Sequence, residues 1–124
     1  MNSYEIALSV VLPSYQEEEN LRVLLPRLLK ILNFIKVRYE IIVVDTPEPM
    51  DQTSDVCSQF EVRYISRLGG DRYGDAVRTG IAEARGEYVL FMDSDGSHTP
   101  EFIPKMFELA EHYNVVIASR YVDR

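Results

Sequence analysis

The chain has few cysteines, few basic residues and no long apolar stretch. Cys57 is its single cysteine, so no internal disulfide bond can form, which is typical of a protein from a reducing compartment. Its 13 lysines and arginines are outnumbered by 20 acidic residues. The resulting formal net charge of −7 has the wrong sign for a nucleic-acid-binding surface. The basic residues also form no dense run, which argues against a polybasic membrane patch.

The longest apolar runs contain only a few residues, whereas a membrane helix needs about 20. Residues 1–14 contain no lysine or arginine, which argues against a signal peptide. We therefore expect a soluble, cytoplasmic domain. With 124 residues, of which 46% are hydrophobic, the chain is long enough to form one domain with its own core.

Strand and helix patterns alternate along the chain. Short runs rich in β-branched residues predict five strands, at 6–12, 41–44, 62–65, 88–92 and 115–118. Apolar residues at three- and four-residue spacing predict four helices, at about 21–35, 53–60, 76–84 and 100–111. Pro26 lies inside the first helix pattern, which predicts either a bend or a later helix start. The glycine-rich, polar stretch 67–74 predicts a loop.

This order predicts an α/β fold with an open, doubly wound, mostly parallel sheet and helices on both faces. Such sheets bind ligands at the carboxyl ends of their strands. Polar residues follow the predicted strands at that edge: Tyr15, Glu17, Asp45, Asp93, Asp95 and Arg120. Of the acidic run Glu17–Glu19, only Glu17 is a candidate for the site, since its neighbours are expected to be a solvated helix start.

Asp93, Ser94 and Asp95 form a D-x-D triplet directly after a predicted buried strand. An isolated triplet of this kind more often forms Asx-turns, so the signal is weak by itself. Together with Asp45, however, it gathers three carboxylates that repel each other unless a cation neutralises them. A hard divalent ion, Mg²⁺ or Mn²⁺, suits such oxygen ligands. Two carboxylates leave its coordination incomplete, so we expect water and the oxygens of a diphosphate to complete it.

Four stretches resemble the family 2 glycosyltransferases: VVLPSYQEEENL (10–21), EIIVVD (40–45), RTGIAEARGEYVLFMDSDGSHTPEFIP (78–104) and VVIASRY (115–121). The last stretch, and the Ser-His after the D-x-D triplet, are most similar to the polyprenol-phosphate branch, the dolichyl-phosphate mannosyltransferase-like enzymes. The resemblance implies a GT-A (Rossmann-like) fold. It also implies metal-dependent, inverting transfer of a sugar from a GDP- or UDP-sugar to polyprenyl phosphate or to a saccharide.

The resemblance also implies roles for single residues. Pro13, Tyr15 and Glu17 would line the nucleotide site, where the tyrosine ring offers a stacking face. Val43 and Asp45 would contact the nucleoside.

At the diphosphate end, Asp93 and Asp95 would hold the metal and the diphosphate, with the backbone of Ser94 near the sugar nucleotide. Ser97 would reach the metal through water, and Arg120 would approach a phosphate, for which a guanidinium is well suited. Asp95 and Arg120 are thus the predicted catalytic residues.

The sequence departs from the family pattern after the second strand, where Thr46 replaces a second aspartate, so base selectivity stays open. Ser97 replaces a common glutamine and Arg72 a common glycine; Arg72 could meet a phosphate or be solvated. Tyr15 could also be a packing residue, and His98 could bind the metal or shape the entry of the next helix. Arg120 could instead form a surface ion pair.

Family members carry an acceptor-binding segment beyond the fifth strand, so residues 1–124 are expected to be the donor-binding part of a longer protein. Two alternatives are a module that binds sugar nucleotide without turnover and a receiver-like regulatory domain. The receiver-like reading is disfavoured because Pro13 and Ser14 stand where an acidic pair is needed. An exposed sheet edge could also drive homodimerisation. A lipid acceptor would place the full-length protein at the cytoplasmic face of a membrane.

Overall fold

The structure, a computed structural model, describes residues 5–94 and 100–110. Strands and helices alternate in these ranges as β1 (Ile6–Pro13), α1 (Glu18–Phe34), β2 (Tyr39–Asp45), α2 (Thr53–Gln59), β3 (Arg63–Ser66), α3 (Tyr73–Glu83), β4 (Gly86–Phe91) and α4 (Ile103–Ala110). A single 3-10 turn, Pro100–Phe102, precedes α4. The predicted fifth strand, 115–118, lies outside the described residues.

The four strands form one parallel sheet in the order β3-β2-β1-β4. β1 is central, and its Val10 pairs with Ile41 of β2 and Leu90 of β4. Parallel strands that are covered on both faces have continuous apolar sequences, because both sets of alternating side chains are buried. The short β-branched stretches of this chain meet that requirement and form the centre of the sheet. The predicted open parallel sheet is confirmed.

Helices cover both faces of the sheet. Val10 and Leu12 pack with the leucines of α1 in the larger core cluster, while Val11 packs with Ala76 of α3 in a second cluster. Successive strand residues face opposite sides, so this alternation is the expected consequence of strand geometry. Gly80 brings α3 close to β1, because a Cβ atom there would lie 2.5 Å from Cγ1 of Val11.

α1 continues through Pro26, so a later helix start is wrong. Pro26 is exposed, and five buried leucines on the opposite side hold the helix against the sheet: Leu21, Leu24, Leu25, Leu28 and Leu32. Burial of several leucine side chains, each contributing about 1.5–3 kcal/mol, outweighs the roughly 3 kcal/mol cost of an interior proline.

The predicted loop 67–74 is too long, because Tyr73 and Gly74 already belong to α3. The backbone N–H of Arg72 donates to the Asp75 carboxylate (3.1 Å) and so fixes the helix start earlier than its apolar pattern does. β4 likewise begins at Gly86, where the lack of a side chain lets the backbone lie against Ser9. Within 5–94 and 100–110, no helix has the length and apolar character needed to span a membrane.

Candidate functional site

A cavity of about 470 Å³ opens at the carboxyl ends of β1 and β4. It lies where the chain, having built β1, β2 and β3 in one direction, resumes on the other side of β1. This is the switch point at which open α/β sheets bind ligands. The described residues that line the cavity are Pro13, Ser14, Tyr15, Glu17, Arg67, Asp71, Tyr73, Asp93 and Ser94.

Five of the predicted site residues line this cavity: Pro13, Tyr15, Glu17, Asp93 and Ser94. Two others do not. Val43 is in the core, and Asp45 is only 1% exposed. Asp95, Ser97, His98 and Arg120 lie outside the described residues. Within the described ranges, no group of three or more histidine, cysteine or acidic side chains is arranged to hold a metal ion.

Asp45 lies beneath the sheet edge because it shares a strand face with Val43 and Ile41. Its Oδ2 accepts a hydrogen bond from the Tyr64 hydroxyl (2.7 Å). Its Oδ1 is buried and accepts no hydrogen bond from any described residue. A buried acceptor without a donor is costly, so this oxygen is a candidate for a ligand N–H.

Two titratable groups close to Asp45 are affected by burial and by its charge. Burial, with the nearby Asp45 carboxylate as a second cause, raises the pKa of the Cys57 thiol from 9.0 to about 12. Burial also raises the pKa of Tyr64, and its hydrogen bond to Asp45 adds to the shift. Cys57 is buried and packs in the larger core cluster.

Two tyrosines offer exposed rings to the cavity. Tyr15 is 49% exposed and Tyr73 57% exposed, and both line it. This exposure favours an aromatic face for a ligand over a packing role for Tyr15. Burial, with the Asp93 carboxylate as a second cause, raises the pKa of Tyr73.

Two buried serines connect the end of β4 to the end of β1. The hydroxyls of Ser14 and Ser94 hydrogen-bond to each other (2.8 Å). The Ser94 hydroxyl also donates to the carbonyl oxygen of Pro13 (3.0 Å). The residue that follows Asp93 is therefore fixed to β1 through its side chain.

The acidic residues around the cavity divide into two groups. Glu17 lines the cavity, and Asn20 donates to its Oε1 (2.8 Å). The Glu18 and Asp51 side chains instead accept hydrogen bonds from backbone N–H groups at the beginnings of α1 and α2. Asp51 accepts from the N–H groups of Glu18 (3.1 Å) and Thr53 (3.1 Å), and Glu18 accepts from the N–H of Gln52 (3.0 Å). These two carboxylates therefore cap α1 and α2.

Among the described lining residues, Glu17, Asp71 and Asp93 are acidic and Arg67 is basic. These carboxylates would therefore repel an anionic ligand unless a cation were bound with it. The carboxylate oxygens are hard ligands of the kind that Mg²⁺ and Mn²⁺ prefer. The ligand type thus suits a divalent cation, but the described carboxylates alone do not group into a metal site.

Sequence reasoning missed four of the lining residues: Ser14, Arg67, Asp71 and Tyr73. A usable signal existed for two of them, since Ser14 and Arg67 each directly follow a strand at the carboxyl edge. Asp71 and Tyr73 had none, because they lie in a stretch whose glycines predict only a loop.

The fold has counterparts among known proteins. A crystal structure of glucosyl-3-phosphoglycerate synthase from Mycobacterium tuberculosis in complex with UDP superposes with a TM-score of 0.67 at 26% identity, covering 82% of this chain and 39% of that one. The structural neighbours are GT-A glycosyltransferases, which confirms the predicted fold class.

Curated relatives are similar in sequence over nearly the whole chain. Dolichol-phosphate mannosyltransferase of Pyrococcus furiosus is 36% identical over 118 residues, which is 92% of this chain and 33% of that protein. Undecaprenyl-phosphate 4-deoxy-4-formamido-L-arabinose transferase of Photorhabdus laumondii is 32% identical over 122 residues, 94% of this chain and 37% of that protein. The chain thus spans about a third of either relative.

A family model, described as Glycosyl transferase family 2, matches residues 9–124. This match takes in β1 from Ser9 onward, the other three strands, both serines of the β1–β4 connection and every described residue that lines the cavity. The chain belongs to the family 2 glycosyltransferases.

Proposed function

We propose that the chain is the donor-binding part of an inverting glycosyltransferase. It binds a nucleotide-diphosphate sugar together with a divalent cation, and the whole enzyme transfers the sugar to polyprenyl phosphate. The observation that carries this proposal is the cavity at the switch point of the sheet, where Tyr15, Glu17 and Asp93 converge. The receiver-like alternative does not survive the family assignment.

The cavity offers distinct groups to the two halves of such a donor. The half-exposed ring of Tyr15 provides a stacking face for the base or ribose. The buried Oδ1 of Asp45 needs a donor, and the N–H of a nucleobase would supply one. Because this oxygen is closed to solvent, such contact requires movement of the side chains around Asp45. UDP in the mycobacterial relative supports a nucleoside diphosphate as the ligand class.

The acidic side of the cavity suits the diphosphate only when a cation is bound. Asp93, Asp95 and, through water, Ser97 would hold the cation. When bound, the cation would stabilise the charge on the departing diphosphate. The residues of the chain contribute orientation. Ser94 fixes the middle of the D-x-D triplet to β1 through Pro13, and Arg120 would approach the phosphates.

The names of the two curated relatives support a lipid-phosphate acceptor, since one acts with dolichol phosphate and the other with undecaprenyl phosphate. The attacking oxygen of such an acceptor is already an anion, so no general base is needed. A saccharide acceptor would instead require a base to take the hydroxyl proton. A lipid acceptor would place the reaction at the cytoplasmic face of a membrane.

Titration calorimetry with UDP and GDP, each with and without Mn²⁺, tests the donor half of this proposal. We expect binding that depends on Mn²⁺, and the preference between the two nucleotides identifies the base. A folded protein that binds neither nucleotide in the presence of Mn²⁺ contradicts the proposal.

Binding without turnover is the second candidate for this chain, because it spans only 33% and 37% of the two curated relatives. Transfer of labelled sugar to a short polyprenyl phosphate, measured for this chain and for the longest protein that contains it, separates the two. Light scattering of both samples tests the predicted homodimer.

A further inference from the structure

Arg67 is a buried cation at the edge of the cavity. It follows β3 directly, is 4% exposed and lines the cavity. We propose that Arg67 is a positioning residue, which joins the ends of β1 and β2 to the loop 68–72 and so sets the shape of the donor site. It acts through backbone carbonyl groups and does not bind the phosphates of the ligand.

The hydrogen bonds of Arg67 account for its whole donor capacity. A guanidinium carries five N–H groups and no acceptor. Arg67 makes bonds to five carbonyl oxygens, from Nε to Asp45 (3.0 Å), from Nη1 to Asp71 (3.2 Å) and Arg72 (3.1 Å), and from Nη2 to Val44 (3.4 Å) and Ser14. A phosphate could therefore be bound by Arg67 only if one of these bonds were broken.

The five carbonyl groups belong to three separate segments of the chain. Ser14 begins the segment between β1 and α1, Val44 and Asp45 end β2, and the others belong to the loop before α3. Tyr15 follows the first of these segments and Tyr73 the last. One side chain thus fixes the backbone just before each of the two exposed tyrosines of the cavity.

The same loop is fastened to α3 from its other side. The Leu68 N–H donates to the Thr79 hydroxyl (2.9 Å), and the Arg72 N–H donates to the Asp75 carboxylate (3.1 Å). Gly69 has a φ of +94°, and a Cβ atom on Gly70 would lie 2.8 Å from Oδ2 of Asp75. The loop is therefore held between Arg67 and the first turns of α3, with glycine where the contact is closest.

Lysine cannot replace Arg67 in this role. An ammonium group has three N–H groups on a flexible stem, whereas the guanidinium is planar and carries five. Arg67→Lys keeps the charge but satisfies at most three of the five carbonyl groups. A residue that bound phosphate by charge would tolerate this change better than a residue that acts through geometry.

Arg63→Lys is a matched control, because Arg63 begins β3 at the amino end of the sheet, whereas Arg67 follows the same strand at the carboxyl end. Arg63 pairs with the carboxylates of Glu40 and Glu83. The first measurement is amide hydrogen exchange of Leu68 and Arg72 without nucleotide. We expect Arg67→Lys to accelerate their exchange about tenfold or more, as loss of two hydrogen bonds would, and Arg63→Lys to leave it unchanged relative to global unfolding.

The second measurement is Mn²⁺-dependent binding of UDP or GDP, and it rests on the proposed function. Positioning predicts that Arg67→Lys and the neutral Arg67→Gln weaken binding alike, by about tenfold, with the same dependence on salt concentration as the wild type. Near-normal affinity for Arg67→Lys with a large loss for Arg67→Gln would show a direct charge contact and overturn the proposal.

Exchange in the absence of nucleotide keeps the two proposals separate. If the wild-type protein binds neither nucleotide, the proposed function fails, while unchanged exchange in Arg67→Lys would by itself overturn the role of Arg67. Gly70→Ala covers the case in which the Arg67 variants do not fold. It disturbs the same loop through Asp75 with Arg67 intact, and it should accelerate exchange of Arg72. Unchanged exchange in Gly70→Ala would contradict a tightly fitted loop and, with it, the proposal.

Discussion

The arginines at the two ends of the sheet have different kinds of partner. At the amino end, Arg63 pairs with Glu40 and Glu83. The Ser9 hydroxyl donates to Glu40 as well (2.6 Å) and accepts from the Gly86 N–H (2.8 Å). At the carboxyl end, the five hydrogen bonds described for Arg67 end on carbonyl oxygens, while carboxylates line the cavity beside it.

This difference separates stability from function within one sheet. Opposite charges that meet at the amino end neutralise each other and tie β1, β2, β3 and β4 together. At the carboxyl end, Arg67 bonds to backbone carbonyl oxygens, and the divalent cation proposed above would meet the carboxylates that line the cavity. Substitutions at the amino end should therefore change the free energy of unfolding, and those at the carboxyl end should change ligand binding.

The largest effect is expected for Asp93→Asn. This change removes a carboxylate that lines the cavity, and its loss should reduce Mn²⁺-dependent nucleotide affinity by at least about 100-fold, since even supporting residues of metal sites matter by about 10–100-fold. Calorimetry measures this affinity. Asp55→Asn, on the exposed side of α2, is the control, and equal affinities of the two variants would refute a metal role for Asp93.

Glu40→Gln should have the next largest effect, and on stability only. It removes the charge that Arg63 and the Ser9 hydroxyl both meet at the amino end. The partly buried Arg63 then keeps Glu83 alone, and we expect a loss of about 2–3 kcal/mol in the free energy of unfolding. Urea denaturation measures it. A change in nucleotide affinity beyond twofold would show that the two ends are coupled.

Ser94→Ala and Ser9→Ala compare two buried serines at opposite ends. Each loses hydrogen bonds, so each should cost about 1–2 kcal/mol of unfolding free energy. Ser94→Ala should also weaken Mn²⁺-dependent nucleotide binding severalfold, because Ser94 fixes the residue after Asp93 to β1. Urea denaturation and calorimetry on both variants test this, and an equal affinity loss for Ser9→Ala would argue against a local effect.

The smallest effect concerns alkaline pH. The pKa of Cys57 is raised from 9.0 to about 12, so the folded state keeps its thiol proton while the unfolded state loses it. The free energy of unfolding should therefore fall as the pH rises above about 9, at up to roughly 1.4 kcal/mol per pH unit. Denaturation of the wild type and of Cys57→Ala measures this slope between about pH 8 and about pH 10, a range that includes the unperturbed pKa of a cysteine thiol. An equal slope in Cys57→Ala would exclude the thiol as its source.

The sequence was sufficient to predict the parallel sheet and the edge at which the cavity lies. Both follow from local patterns, because β-branched runs indicate buried strands and strand order then fixes where the carboxyl ends meet. Tyr15, Glu17 and Asp93 were found in this way. The metal and donor roles given to the cavity residues stay predictions.

The remaining features depend on three-dimensional placement that no local pattern contains. Asp45 follows a strand at the expected edge, yet it shares the face of Val43 and is covered. The strand-end rule gives the end of a strand but not the face on which its last residue lies. Arg67 was read as the start of a polar loop, because its partners are carbonyl groups, which every residue carries.

The reciprocal caps of Asp51 and Glu18 have a consequence for local motion. Each carboxylate belongs to one helix start and holds an N–H of the other. Fraying at the beginning of α1 therefore withdraws a partner from α2, and the reverse is equally true. The two first turns should open and close together as a single cooperative unit, although 34 residues separate Glu18 from Gln52 along the chain.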